Sequence, residues 1–591
     1  MKLSDYVFKF ISDYGVRDVF YLPGGGAMHL DDSLAHTEGI NAVCMLHEQA
    51  AAIAAEAYSR MKNSLSVCCV TSGPGSTNAL TGLSGAWIDA TPVLFISGQA
   101  KRADLVGDQG IRQFGIQEVN IIDIVRPMTK YAMQISDPMD IRYEIEKAVF
   151  LAFDGKPGPV WLDIPVDVQA AQIDEKCLKG FVRPERNYDC DDSSIDDTIE
   201  LLNQADRPLL LLGHGIRMGN SISEMNGLID ALGIPVMTTW NGVDLIEDSN
   251  PYFFGRPGAS GMRHANIIQQ NADLVITLGT RLNLLSTGYD YDSFLRNAKH
   301  IMVEIDENEM KKKSVHPYMA VCCDVKSYIG KLLSRINEVH LKDMSGWMSF
   351  CNRMKDKYPL LIKEQVPESD DINTYEFVDE LSKQMTGNDV FQFTSSGISC
   401  DISMETFRIK KGQRAFLTKG LASMGFDLPA SIGSCIASGR KRTVCLTGDG
   451  GFMMNIQELA TLHRLNLPVK MFVLDNKGYA MIYNSQSGNF HRLSGADRES
   501  GLELPDIAKV AESFGIHSER IKTVSEMKQK IAEVLSYDGP VVCCVDGYIG
   551  QQILPRQVNY RREDGQMASR PLEDMAPLLP REELENDMNR K

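Results

Sequence analysis

One pattern recurs through the chain and limits what it can fold into: a short apolar run ends in a glycine turn and leads into a helix-like segment. Runs that are apolar at every position belong to strands covered on both faces, and parallel strands need a crossover between them. The repeat therefore predicts an α/β fold of doubly wound parallel sheets. At 591 residues the chain exceeds what a single core can organise, so several such domains are expected. Three blocks can be read. The first covers residues 1–175, with strands at 19–22, 42–46, 67–71, 93–97 and 160–164. A charged stretch, 177–197, reads as a linker. The second covers 190–340, opening on Pro208-Leu209-Leu210-Leu211-Leu212-Gly213, with strands at 274–278 and 301–305. A second linker is expected within 341–374, and the third block, 375–548, has strands at 389–392, 442–447, 469–474 and 541–545. The polar remainder, 549–591, lacks apolar periodicity and is expected to lie over the surface without forming a domain.

Charge and cysteine usage narrow the function classes. A formal net charge of -17 argues against nucleic acid and acidic membrane surfaces, which call for a clustered basic face. The 13 cysteines include the pairs Cys68-Cys69, Cys322-Cys323 and Cys543-Cys544, all in apolar runs that read as buried strands, with no C-x-x-C spacing. Core thiols in a reducing cytoplasm fit this better than zinc or disulfides. The start, Met1-Lys2-Leu3-Ser4-Asp5-Tyr6, lacks a basic region followed by an apolar stretch, and no apolar run reaches membrane-spanning length. A cytoplasmic protein is expected, neither exported nor membrane-spanning.

The most informative segment is Leu446-Thr447-Gly448-Asp449-Gly450-Gly451-Phe452, with Asp475-Asn476 at the end of the next apolar run. A strand, a glycine turn and a helix start together suit a diphosphate, because Gly448, Gly450 and Gly451 let backbone N–H groups approach phosphate oxygens. Asp449 offers a hard carboxylate, Asn476 an amide oxygen and Gly478 a main-chain carbonyl. Those are ligands for Mg²⁺, whose octahedral shell is completed by phosphate and water. The plain alternative is a glycine turn whose aspartate caps a helix.

Residues 449–460 and 466–476, with their spacing, resemble the cofactor motif of the thiamine-diphosphate enzymes, specifically the acetolactate synthase catalytic subunit. Three other stretches are similar to that family: Leu46-His47-Glu48-Gln49-Ala50-Ala51, Thr71-Ser72-Gly73-Pro74-Gly75-Ser76-Thr77-Asn78-Ala79 and Ser423-Met424-Gly425-Phe426-Asp427-Leu428-Pro429-Ala430. The resemblance implies three domains: pyrimidine-binding, central and diphosphate-binding. It also implies thiamine diphosphate and Mg²⁺ as cofactors. In this chemistry a carboxyl bonded to the aminopyrimidine shifts it to the imino base that deprotonates the thiazolium carbon, and Glu48 matches that carboxyl. By position alone Glu48 is a helix-start glutamate. Met424 matches the residue that props the cofactor bent, or is core filler, and the carbonyl of Ala422 would accept from the cofactor's amino group. Gln117 falls at the reacting end with Glu48, and Gly25, Gly73, Pro74, Asn78 and Met481 fall along the cofactor. The family's active site is shared between two chains, so a homodimer or homotetramer is implied.

In the central block, Gly255, Gly258, Gly261, Arg281, Glu304 and Asp306 match positions with which acetolactate synthases hold FAD in a structural role. Glycines would admit the pyrophosphate, Arg281 would pair with it, and an acid at a strand end would bond ribose hydroxyls. Some family members lack FAD, and Asn283-Leu284-Leu285 departs from the polar run expected there. Two further departures fall at the acceptor: Ile116 stands for phenylalanine and Ser485 for tryptophan, both losing aromatic bulk. The family's Gln-His-Gln near the diphosphate appears as Cys400-Asp401-Ile402. The expected reaction is decarboxylation of a 2-oxo acid, pyruvate, with transfer of the two-carbon unit to a keto acceptor. That acceptor is a small 2-oxo acid or, by a looser resemblance of the tail and of residues 112–118, a nucleotide-activated keto sugar. A decarboxylase releasing an aldehyde is the nearest rival. A dinucleotide-dependent dehydrogenase would need G-x-G-x-x-G at its first turn, which Leu22-Pro23-Gly24-Gly25-Gly26 does not supply. A non-catalytic relative would not need Glu48, Asp449 and Asn476 together.

Overall fold

The computed structural model describes residues 1–361, 370, 372–395 and 397–588. Part of the second expected linker, 362–369 and 371, lies outside the described residues. Three parallel sheets with helices make up the fold. The first holds β1 (Asp18–Tyr21), β2 (Asn41–Cys44), β3 (Ser66–Val70), β4 (Val93–Gln99), β5 (Tyr131–Gln134) and β6 (Val160–Pro165), in the order β2-β1-β3-β4-β6-β5. The second holds β7 (Pro208–Leu212), β8 (Val236–Thr238), β9 (Leu274–Leu278), β10 (Lys299–Glu304) and β11 (Met319–Cys322), in the order β11-β10-β9-β7-β8. The third holds β12 (Val390–Gln392), β13 (Arg414–Phe416), β14 (Thr443–Gly448), β15 (Val469–Asp475), β16 (His517–Ile521) and β17 (Val541–Asp546), in the order β13-β12-β14-β15-β17-β16. The first and third sheets therefore share one winding.

Strands in sheet interiors are buried along nearly their whole length, as β3, β4, β14 and β15 show, which is why they read as unbroken apolar runs. Register fixes the important edge. Gly448 of β14 lies opposite Leu474 of β15, so Asp449 and Asn476, just beyond, emerge side by side.

The helices that follow the second strand of the first and third sheets, Glu48–Lys62 and Asp427–Ala437, pack on each other. Their approach depends on small residues. A Cβ on Gly433 would stand 2.1 Å from the Ala54 carbonyl oxygen, and one on Gly82 2.4 Å from the Ala52 Cβ, so the alanine-rich helix is closed in on two sides.

One expectation gains detail and another needs correction. The tail is anchored as well as superficial. After a hairpin of β18 (Asn559–Arg561) and β19 (Met567–Ser569), Leu572 and Met575 are both 0% exposed. Leu572 joins the core of the central domain. Arg263 donates to the carbonyls of Met575 (3.3 Å) and Pro577 (2.6 Å), and Asn271 to that of Asp587 (3.0 Å). Isolated apolar anchors in polar sequence leave no periodicity to read. Of the paired cysteines, Cys322 is exposed, because β11 is an edge strand. Among the described residues no helix is long and apolar enough to cross a membrane.

Candidate functional site

At the carboxyl edge of the third sheet, Asp449 opens the helix Asp449–Met453 and is 1% exposed. Its Oδ1 accepts from Gly450 N (2.7 Å) and its Oδ2 from Gly478 N (3.2 Å). Asn476 Oδ1 accepts from the same Gly478 N–H (3.3 Å), so the two side-chain oxygens converge on one point. Asp475 forms ion pairs with Lys477 and Arg520. Asp449 has no ion-pair partner among the described residues, and burial, with the Asp475 charge adding to it, pushes its carboxyl up to about 7. A buried carboxylate without a counter-charge is costly unless a cation is supplied. Among the described residues no three His, Cys, Asp or Glu side chains gather to hold a metal. Asp449, Asn476 and the Gly478 carbonyl thus fit an ion whose remaining ligands arrive with it, as Mg²⁺ does with a diphosphate.

The glycines here have different tasks. Gly448 has open space where a side chain would go, so its backbone is approachable. A Cβ on Gly450 would stand 2.2 Å from Cε1 of Tyr479 and 3.2 Å from Cε of Met424, and one on Gly478 2.3 Å from the Ala496 carbonyl oxygen. Gly451 has more room, its nearest neighbours being Asp427 Oδ2 at 3.4 Å and Thr447 Oγ1 at 3.5 Å. Ala422 adopts φ 55° two residues before Met424, and Met481, at the start of the helix Ala480–Phe490, is 41% exposed.

A second group assembles on the first sheet. Glu48 begins its helix, is 8% exposed and accepts through Oε2 from Asn78 Nδ2 (3.0 Å). Asn78 ends the short helix Pro74–Asn78, which Gly73 starts at φ 61°. A Cβ on Gly73 would meet the Gln117 carbonyl oxygen at 2.8 Å, and Gln117 itself adopts φ 59°. Glu48, Gly73, Pro74, Asn78 and Gln117 therefore form one cluster. Gly25 has open space, while its neighbours Gly24 and Gly26 press on Thr71 and Ser72. Within one chain the two groups are bridged: Asn455 Nδ2 donates to the Gly425 carbonyl (2.7 Å) and to Gln49 Oε1 (3.4 Å), and Leu46 N donates to Glu458 Oε1 (3.0 Å).

The central sheet ends in a partly open cleft of about 210 Å³, lined by residues of all three sheets' domains. Arg281 and Glu304 line it; Gly255, Gly258, Gly261 and Asp306 do not. The three glycines are closely packed. Their Cβ positions are filled by Met262 Sδ (2.7 Å), the Leu285 carbonyl (2.3 Å) and Gly258 N (2.5 Å). Asp306 caps the helix Glu307–Met310 and pairs with Lys156 (3.2 Å). Arg281 lies 3.6 Å from Asp89. Buried polar atoms without protein partners among the described residues line the cleft, at His214, Trp240 and Asn241. The polar and basic groups of this wall suit a flavin dinucleotide, and of the expected residues Arg281 and Glu304 would meet it there.

Sequence reasoning passed over residues whose partners lie far along the chain. Asp427 accepts from Thr394 Oγ1 (3.1 Å), Ser395 N (2.9 Å) and Thr447 Oγ1 (2.5 Å), tying β14 to the turn after β12; burial raises its carboxyl to about 6. Asp401, of the altered Cys400-Asp401-Ile402, pairs with Lys419 at 3.0 Å. Ile116 is 91% exposed, and Ser485 is exposed on the helix Ala480–Phe490.

Three models of thiamine pyrophosphate enzymes match: the N-terminal TPP binding domain over residues 1–124, the central domain over 195–332 and the C-terminal TPP binding domain over 396–545. The acetolactate synthase large subunit of Cyanidium caldarium is 32% identical over 543 residues, covering 89% of this chain and 90% of that protein. The probable acetolactate synthase large subunit of Methanocaldococcus jannaschii is 31% identical over 558 residues, covering 91% of each. The chloroplastic acetolactate synthase 1 of Zea mays is 30% identical over 573 residues, covering 94% of this chain and 86% of that protein.

Proposed function

The chain belongs to the thiamine pyrophosphate enzymes, among those like the acetolactate synthase large subunit, and we propose that it decarboxylates pyruvate and joins the two-carbon unit to a keto acceptor. The observation that carries this reading is the convergence of Asp449 and Asn476 on the Gly478 N–H, at 3.2 and 3.3 Å, beside the open backbone of Gly448.

Asp449, Asn476 and the Gly478 carbonyl would hold Mg²⁺, and Gly448 and Gly450 the diphosphate. Bound thiamine diphosphate supplies the nucleophilic carbon and the electron sink. Glu48 would bond the pyrimidine ring of the cofactor. Asn78 orients its Oε2, and among the described residues Oε1 has no hydrogen-bond partner. Met424, the carbonyl of Ala422 and Met481 would contact the cofactor. Gln117, fixed against Gly73, would face the substrate. The reading includes a homodimer or homotetramer with active sites shared between chains, FAD in the central cleft as a structural cofactor, and a cytoplasmic setting. The exposed Ile116 and Ser485 favour an acceptor larger than a second 2-oxo acid, of the nucleotide-activated keto sugar class.

The test pairs cofactor binding with product analysis. Glu48→Gln should keep Mg²⁺-dependent thiamine diphosphate binding and lose turnover of pyruvate by about 100-fold or more; unchanged turnover removes Glu48 from the mechanism. Rapid acetolactate formation from pyruvate alone would dispose of the sugar acceptor, and acetaldehyde as sole product would dispose of carboligation.

A further inference from the structure

Three residues that line the central cleft carry four buried polar atoms with no hydrogen-bond partner among the described residues: both ring nitrogens of His214, the indole Nε1 of Trp240 and Oδ1 of Asn241. Trp240 is only 5% exposed. A buried indole N–H is normally satisfied, so an orphan on a residue that lines a cleft marks a donor for which the chain supplies no partner among the described residues.

The same wall carries three basic side chains, one from each domain: Lys156, Arg281 and Lys419. The first two are committed. Lys156 bridges Asp306 (3.2 Å) and Glu309 (2.6 Å), and Arg281 lies beside Asp89 (3.6 Å) with Gly420 packed against its guanidinium. Lys419 is held differently. Its one hydrogen-bond partner among the described residues is Asp401 (3.0 Å), although an ammonium has three donors. It also stands 5.6 Å from the centroid of the Trp240 ring. Charge and orphan donor are therefore neighbours on one patch of wall, contributed by the third and second domains respectively.

We propose that Lys419 is a binding residue for a flavin dinucleotide in this cleft, donating from its ammonium to an anionic or carbonyl oxygen of the ligand, with the Trp240 N–H as the adjacent donor. Asp401 is then a positioning residue. The assignment rests on the flavin reading given above and extends it to the C-terminal domain, where the altered Cys400-Asp401-Ile402 segment acquires a role away from the diphosphate.

The experiment measures flavin affinity in the holoenzyme, with Mg²⁺ and thiamine diphosphate present, by quenching of FAD fluorescence and by flavin retained after desalting. The wild type is compared with Lys419→Arg, Trp240→Phe and the double variant Lys419→Met/Asp401→Asn, which strands no buried charge. The double variant should bind FAD at least about tenfold more weakly, Trp240→Phe should show a smaller loss, and Lys419→Arg should recover most of the affinity. Thermal unfolding of the flavin-free forms checks folding. Equal affinity in the wild type and the double variant overturns the Lys419 assignment alone. A wild type that takes up no FAD overturns the flavin reading and this assignment with it. Should the double variant not fold, unchanged affinity in Trp240→Phe overturns the proposed patch.

Discussion

The first and third sheets are wound alike, β2-β1-β3-β4-β6-β5 and β13-β12-β14-β15-β17-β16, yet the same edge carries opposite chemistry in each. After β3 the chain runs through Thr71-Ser72-Gly73-Pro74, where Thr71 Oγ1 accepts from Gly26 N (3.1 Å) and Ser76 Oγ donates to the Thr71 carbonyl (2.9 Å). That turn satisfies itself. After β14, the topologically matching strand, comes Asp449, a buried carboxylate without a cationic partner among the described residues. The winding supplies a place, and the residues decide whether it is closed or left for a ligand. One half offers neutral hydrogen-bonding groups and Glu48, the other a cation-seeking pair, as the two ends of one cofactor would require.

The largest expected effect breaks the third-sheet side of this comparison. Asp449→Asn should weaken Mg²⁺-dependent thiamine diphosphate binding by at least about 100-fold, without lowering stability, since an uncompensated buried charge is removed. Titration of the cofactor with Mg²⁺ and with a chelator measures it. Wild-type affinity in this variant would mean that the convergence on Gly478 is only a helix cap.

Glycines at the two turns sharpen the contrast. Gly73 holds φ 61° and ψ -118° against the Gln117 carbonyl, so Gly73→Ala should cost about 1–3 kcal/mol of stability through backbone strain. Gly450 has no positive φ, and its Cβ direction is blocked by the Tyr479 ring at 2.2 Å. Gly450→Ala should therefore act on cofactor affinity by displacing Tyr479 and Met424, with a smaller change in unfolding temperature. A reversal of these two phenotypes would refute the distinction between a strained turn and a ligand-facing one.

How far sequence alone reached follows the same division. Interior strands such as β3, β14 and β15 were legible because burial on both faces makes every position apolar. The edge strands β5, β11 and β16, with half-buried or exposed positions, carried no such signal, and β8 and β13 are three residues long. Asp449, Asn476 and Glu48 stood out because each sits at a strand-to-helix junction with local spacing. Asp427, Tyr479 and the Asp401–Lys419 pair acquire meaning only from partners brought by the fold. The central glycines Gly255, Gly258 and Gly261 lie off the cleft wall with their Cβ directions filled by their own surroundings, a packing that their spacing alone does not reveal.

The smallest effect concerns the two matching helices, each of which buries a carboxyl. Asp427 has three donors, whereas both oxygens of Glu56 lack a hydrogen-bond partner among the described residues, with Arg60 3.6 Å away. Burial, only partly offset by Arg60, raises the Glu56 carboxyl from 4.5 to about 8. A carboxyl whose folded value lies above its unfolded one takes up a proton on folding. Its favourable contribution is complete below the unfolded value and is lost as pH rises through the folded one. Across that window, from 4.5 to about 8, Glu56→Gln should gain stability relative to the wild type. We expect about 1 kcal/mol by the alkaline end, reduced from the full linkage value because Arg60 compensates part of the charge. Chemical unfolding of both proteins at a series of pH values reads the difference directly. A constant offset favouring the wild type would show instead that Glu56 is ionised against Arg60 throughout, and the two helices would then differ in ion pairing and not in proton uptake.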